Sequence, residues 1–204
     1  MKTYNFAQGT EEWLRIRRGK ITASRFGDMM TQGKKKEDEF GKTAISYAYE
    51  IMTGWLTDYD GEEGYTNKNM EWGTEYEAEA RQAYQLETFN YVKQIGFVEL
   101  NEFVGGSPDG LIGEDGGLEI KCPKKTTHLA TILGKKMPDI HIPQVQGSMY
   151  ITDRAWWDFV SYHPLFKTNK LFIVRVKRDD EYISQLKDRI EKFKKLIDRL
   201  TEQI

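Results

Sequence analysis

At 204 residues the chain suits one domain with a sizeable core and is short for two. A hydrophobic content of 39% argues against disorder, no apolar run reaches the length of a membrane span, and the N-terminus lacks a signal-peptide core, so the default compartment is the cytoplasm. A single cysteine, Cys122, excludes an internal disulfide framework, and a net charge of −2 excludes a uniformly basic surface. The charges are unevenly spread, however. Arg15, Arg17, Arg18, Lys20 and Arg25 crowd the N-terminal region, Lys34 to Lys36 follow, and Lys124-Lys125 and Lys135-Lys136 come later, while acids collect between Asp58 and Glu79. This predicts a locally basic groove on an otherwise acidic body, although each lysine run also suits a solvated loop.

In chain order, Thr10 followed by Glu11-Glu12 reads as a helix start that Gly19 ends. Thr22 or Ser24 would cap the next helix, through Met30, with first-turn amides open to an anion. A helix carrying Ala44, Ile45, Ala48 and Ile51 on one side ends near Gly54, and Thr57 to Asn67 reads as an exposed acidic loop. Asn69 to about Glu87 is a long central helix with Glu77 and Arg81 at i,i+4, the spacing of an ordinary surface ion pair. Tyr91 to Leu100, rich in Val, Ile and Phe, reads as one buried strand. Beyond Pro123, Thr126 or Thr127 would cap a short helix to Gly134, and Pro138 and Pro143 bound an extended link. Gln144 to Ile151 follows as a helix with Val145, Ser148 and Met149 on one face. Ala155 to Tyr162 and Leu171 to Val176 read as strands. From about Asp179, Ile183, Leu186, Ile190, Phe193, Ile197 and Leu200 recur at spacings of three and four, the stripe of a core-packed amphipathic helix.

Between these elements lies Gly105 to Pro123, GGSPDGLIGEDGGLEIKCP. Gly113 to Gly117 is a turn signal that folds two strands into a hairpin. Leu118 to Cys122 alternates, so Glu119 and Lys121 project together while Leu118 and Ile120 face the core. Asp109 is thereby brought beside both. Paired carboxylates offer hard oxygen ligands for Mg²⁺, which retains waters and leaves room for phosphate oxygens. An adjacent lysine serves to orient a water, to deprotonate it, or to offset charge on phosphorus, so the set suits metal-assisted phosphodiester hydrolysis. A half-exposed strand with polar residues outside would present the same alternation. Cys122 reads as a buried strand residue, and His128, His141 and His163, lacking metal-ligand spacing, read as structural or exposed.

Ser107-Pro108-Asp109-Gly110 with Leu118-Glu119-Ile120-Lys121-Cys122-Pro123 resembles the lambda exonuclease and YqaJ-type viral recombinase nucleases of the PD-(D/E)xK superfamily. Three further blocks resemble that family in its order: Trp13 to Ser24 (WLRIRRGKITAS), Trp72-Gly73 with Tyr76 to Arg81, and Gln144 to Met149. The resemblance implies an α/β fold with a restriction-endonuclease-like core, a mixed central sheet of about five strands flanked by helices, in one nuclease domain over residues 1–204. It implies a Mg²⁺-dependent 5′→3′ exonuclease on double-stranded DNA that leaves 3′ single-stranded tails, with two ions expected and Mn²⁺ as a substitute. Asp109, Glu119 and the Ile120 carbonyl would be metal ligands, Glu77 an auxiliary one, Lys121 the water-activating residue and Gln144 a positioner. Arg17, Ser24 and Ser107 would form a 5′-phosphate pocket. There the match departs, since Thr127 stands where the family has an arginine, with Lys125 close by.

The resemblance further implies a single-strand annealing recombinase as partner and a phage or prophage origin in a bacterial host. A compact chain of this length has a radius of gyration of about 17 Å, comparable to the width of duplex DNA. One copy cannot encircle its substrate, and a homotrimer ring, as in the family, is expected to supply topological retention. An endonuclease of the same superfamily and a non-catalytic DNA-end-binding subunit are the alternatives.

Overall fold

The structure, a computed structural model, describes residues 1–35, 37–57 and 68–204. Five strands form the larger sheet: β3 (Val92–Lys93), β6 (Gly110–Ile112), β7 (Gly116–Lys121), β8 (Trp156–Tyr162) and β9 (Leu171–Lys177), side by side in that order. Only β7 and β8 run parallel, so the sheet is mixed, as expected. Parallel neighbours need a crossover, here α5 (Lys125–Gly134) and α6 (Ile142–Thr152).

A second sheet was not foreseen. Its strands are β1 (Lys2–Tyr4), β4 (Phe97–Glu99), β5 (Val104–Gly106) and β2 (Ile21–Thr22), with β2 and β5 parallel. At two or three residues each, these strands are too short to carry a period-2 signal. The expected strand Tyr91 to Leu100 is therefore two strands, β3 and β4, in different sheets. Gly96 lies between them, and a Cβ there would strike the Phe6 backbone, so only glycine admits the approach.

The remaining helices are α1 (Glu11–Arg17), α2 (Phe26–Met29), α3 (Lys42–Leu56), α4 (Lys68–Thr88) and α7 (Asp180–Thr201). Thr10 caps α1 through Trp13 N, and Asp179 caps α7 through Tyr182 N at 2.9 Å. Along α7, Ile183, Leu186, Ile190, Phe193 and Ile197 are all buried, so the stripe is core, packed with α2, α3 and β2 residues. Val145 to Met149 of α6 form an unbroken buried run. Ile151 joins the cluster around α7, whereas Val145 and Met149 join Trp157 and Phe159 of the larger sheet. The opposite face of that sheet is covered by α4, whose Ala80 and Tyr84 meet Leu118, Ile120 and Val160. No helix among the described residues is long and apolar enough to cross a membrane.

Local corrections follow from backbone geometry. Ala23–Arg25 is a 3₁₀ turn without a side-chain cap, leading into the four-residue α2, so no capped helix follows Thr22 or Ser24. Helix α5 begins directly at Lys125 with Lys124 as N-cap, displacing Thr126 and Thr127 into its first turn. Between Pro138 and Pro143 the chain is a 3₁₀ turn, Asp139–His141, running into α6, because a proline in a first helical turn forfeits no hydrogen bond. Helix α3 continues past Gly54 to Leu56. The acidic loop expected over Thr57 to Asn67 lies, from residue 58, outside the described residues.

Candidate active site

The hairpin forms as its turn signal predicts, with Gly110 opposite Leu118, Ile112 opposite Gly116, and Gly113 in the left-handed region at φ +53°. Alternation along β7 also holds, but neither face is open. Leu118 and Ile120 lie under α4, while Glu119, opposite Phe159 on β8, faces α6. Glu119 is consequently only 1% exposed, which rules out the half-exposed strand. A carboxylate so buried requires partners. Lys121 Nζ meets its Oε1 at 2.5 Å, and Oε2 is buried with no hydrogen-bond partner.

Strand β6 stops at Gly110, and the Asp109 side chain carries the ladder one step further: its Oδ2 accepts from Ile120 N at 2.6 Å. Burial, then the charges of Glu119 and Glu77, push the Asp109 carboxyl well above the usual carboxylate range. Glu77, on α4, is raised too, by burial and by Glu119, against the pull of Arg81. The i,i+4 pair of Glu77 with Arg81 is indeed made, yet Glu77 also stands within electrostatic reach of Glu119, Lys121 and Asp109. Burial disfavours the Lys121 ammonium, but Glu119 and Asp109 outweigh it and raise its pKa, so this lysine is cationic. Gln144, in the first turn of α6, accepts from Lys121 Nζ through Oε1 at 3.2 Å.

Among the described residues, no three His, Cys, Asp or Glu side chains converge into a metal cage. The donor set nonetheless fits a divalent cation. Mutually destabilising carboxylates and an unpartnered buried oxygen, Glu119 Oε2, are what such an ion would relieve. Residues Asp109 and Glu119, with the Ile120 carbonyl between Glu119 and Lys121 in sequence, supply hard oxygen donors.

Three residues, Ser107 to Asp109, carry the chain from β5 of the smaller sheet to β6 of the larger. At the near end, Ser107 Oγ accepts from Arg17 Nη1 at 3.2 Å and from Trp13 Nε1 at 2.9 Å, with the Arg17 guanidinium 4.0 Å above the Trp13 ring. Strand β2 runs parallel to β5, pairing Thr22 with Gly105, and directly after it comes the 3₁₀ turn that carries the exposed Ser24. Lys125 is exposed at the start of α5, where its charge is felt by His163, and it bonds to neither Ser107 nor Ser24. Arg17 and Ser107 are thus bonded neighbours, while the Ser24 hydroxyl contacts Thr22 Oγ1 at 3.4 Å.

Sequence reasoning missed two contributors. Arg154, just after α6, donates through Nη1 to the carbonyls of Ile112, Gly113 and Gly116 at 3.2, 3.0 and 2.6 Å, clamping the hairpin turn. His141 lies at the N-terminus of α6, half-buried against Phe159 and close enough to feel Lys121. Neither carries a motif signal. The other histidines are structural: both are buried, with His128 bonded to Ser161 Oγ and Asn169 O. Cys122 is half-buried, and burial with the nearby charges of Glu77 and Asp109 pushes its thiol up to about 12, which suits an inert group.

The model of the YqaJ-like viral recombinase domain matches residues 12–155. Among solved structures, an alkaline exonuclease from Laribacter hongkongensis is 36% identical with a TM-score of 0.85, the match covering 95% of each chain. The same enzyme in complex with dAMP gives a TM-score of 0.86 at 36% identity, again over 95% of each chain. A phage-related exonuclease from Haemophilus somnus shares the fold, with a TM-score of 0.70 at 20% identity over 90% of this chain and 96% of that one. No curated protein matches. The mixed sheet flanked by helices is accordingly the restriction-endonuclease-like core of PD-(D/E)xK nucleases, and the chain belongs to the YqaJ-like viral recombinase family.

Proposed function

We propose that the chain, as one nuclease domain over residues 1–204, is a Mg²⁺-dependent exonuclease that degrades the 5′-ended strand of linear double-stranded DNA. The observation that carries this reading is Glu119: a carboxylate 1% exposed, one oxygen on Lys121 and the other unpartnered, beside Asp109. Asp109, Glu119 and the Ile120 carbonyl would hold the metal, with Glu77 as an auxiliary ligand released from Arg81. The chemistry such an ion supplies is Lewis acidity toward the phosphoryl group and an acidified water. Lys121, held as an ammonium, donates rather than abstracts: it orients the attacking water or offsets charge growing on the phosphoryl oxygens. Gln144 fixes the Lys121 ammonium and positions the same water.

Attack by water breaks the bond from phosphorus to the 3′ oxygen, releasing a mononucleotide and leaving a new 5′-phosphate on the shortened strand. Arg17, Ser107 and Ser24 form the pocket that grips this phosphate, since a guanidinium offers paired donors to phosphate oxygens. Lys125, at the start of α5, would add a further positive charge to this pocket. The 3′ tail so exposed would pass to a single-strand annealing recombinase, and a ring of three copies would keep the duplex threaded, a state read by the mass in light scattering.

The deciding experiment digests linear duplexes with and without a 5′-phosphate, and a closed circle, in Mg²⁺ and in EDTA. Mg²⁺-dependent loss of linear DNA with an intact circle is expected, whereas nicking of the circle would favour an endonuclease. In the same assay Arg17→Ala should erase the preference for phosphorylated ends; an unchanged ratio of rates would remove Arg17 from the pocket.

Calorimetry tests the metal site separately. Asp109→Ala should abolish measurable Mg²⁺ binding, and unaltered affinity would count against Asp109 as a ligand. In the wild type the sign of the pH dependence follows from the raised Asp109 carboxyl. The metal-free fold binds this proton more tightly than the unfolded chain, a contribution present at low pH and lost as pH rises through the raised pKa. A cation needs the carboxylate, so Mg²⁺ affinity should rise over that same span with release of protons to buffer.

A further inference from the structure

His141 has a position that the roles given above do not use. It ends the 3₁₀ turn Asp139–His141 and serves as N-cap residue of α6, three residues before Gln144. Its ring stacks on Phe159 with centroids 5.2 Å apart and planes 28° from parallel. Phe159 is the residue of β8 paired with Glu119, so the imidazole shares the buried carboxylate's face of the sheet. Its nitrogens make no hydrogen bond among the described residues and are not sealed from solvent. A half-buried ring held flat by an aromatic neighbour, with open nitrogens near Lys121 and Gln144 of the proposed site, is a donor without an acceptor.

We infer that His141 is a further substrate-contacting residue, an imidazole N–H donor to a phosphate oxygen of the strand being cut, next to Lys121. The inference rests on the nuclease reading of the site. A second cation beside Lys121 would be repelled, and the ring avoids this: burial and the Lys121 ammonium bring its pKa down to about 4, so it is neutral at neutral pH. It therefore adds direction to the phosphate without adding charge, and a backbone fixed by the α6 start holds that direction.

Three variants separate this role from packing. His141→Phe keeps a ring for Phe159 but has no donor; His141→Asn keeps a neutral donor but loses the stack; His141→Ala lacks both. Each is measured for Mg²⁺-dependent digestion of a 5′-phosphorylated linear duplex, for binding of that duplex in EDTA by fluorescence anisotropy at several salt concentrations, and for thermal stability. Turnover should fall at least about 10-fold in His141→Ala and His141→Phe, and His141→Asn should recover most of that loss. Binding in EDTA should weaken by roughly 3- to 10-fold in the same two variants. The salt slope should stay that of the wild type, because a neutral contact releases no counterion. Thermal stability should rank the other way, with His141→Phe nearest the wild type. A His141→Phe enzyme that cuts and binds normally, or His141→Asn no better than His141→Ala, would overturn the inference. Should the wild type cut no linear DNA in Mg²⁺, the nuclease reading fails by itself, and the anisotropy arm still decides whether His141 touches a phosphate.

Discussion

Lys121→Ala should lower turnover of linear duplex DNA by about 10²-fold or more while the chain stays folded and binds DNA. The side chain is 32% exposed and makes its two bonds to groups of the site itself, Glu119 Oε1 and Gln144 Oε1. Little core is lost with it. What is lost is an ammonium placed among Asp109, Glu119 and Glu77, a charge available to a phosphoryl group gaining negative charge. The variant leaves Glu119 buried without its counterion, so a modest fall in melting temperature should accompany the lost activity, largest without Mg²⁺. Single-turnover digestion checks the rate and circular dichroism the fold. Near wild-type turnover would take β7 out of the chemistry.

Asp158→Ala should produce a clear loss of stability from a residue outside the site, about 1–3 kcal/mol, the usual cost of leaving a buried hydrogen-bonding group unsatisfied, because its ionic partner Arg175 is half exposed and stays solvated. Asp158 is 2% exposed on β8. It accepts from Arg175 Nε and Nη2 at 2.8 and 2.9 Å and from Tyr84 OH at 2.6 Å. Alanine would leave the Tyr84 hydroxyl proton without its acceptor at the junction of α4 with the sheet, with Asn90 Nδ2 still donating to the oxygen at 3.2 Å. At this chain length the loss corresponds to a drop of roughly 2–12 °C in melting temperature. A loss below about 1 kcal/mol in urea unfolding would mean that water replaces the carboxylate, and that the α4 contact owes its strength to Ala80 and the apolar face alone.

Legibility in the sequence tracked the length of each signal. The stripe of α7 and the central helix α4 were readable because period 3.6 repeats over many turns. The β6–β7 hairpin was readable because Gly113 to Gly117 is an unambiguous turn, and Asp109, Glu119 and Lys121 came with it. Gln144, Arg17 and Ser107 were not legible as isolated residues; only their motif neighbours marked them. The smaller sheet was invisible because pairs such as Ile21 and Thr22 are ordered by partners about eighty residues away. His141 and Arg154 went unread for a related reason. Their places are set by packing of α6 between two clusters, which no local pattern encodes.

In the proposed reading, the link from β5 to β6 would tie gripping to cutting. Two steps of chain separate the Ser107 and Asp109 Cα atoms, at most about 7 Å even when fully extended, and both neighbouring strands are hydrogen-bonded into sheets. The proposed phosphate grip and metal ligand would then behave as the jaws of one stiff caliper whose opening cannot be adjusted on its own. A backbone substitution that lengthens this link, even one far from any catalytic atom, would change which phosphodiester is presented, so its signature would appear in the length of the released product before it appeared in the rate.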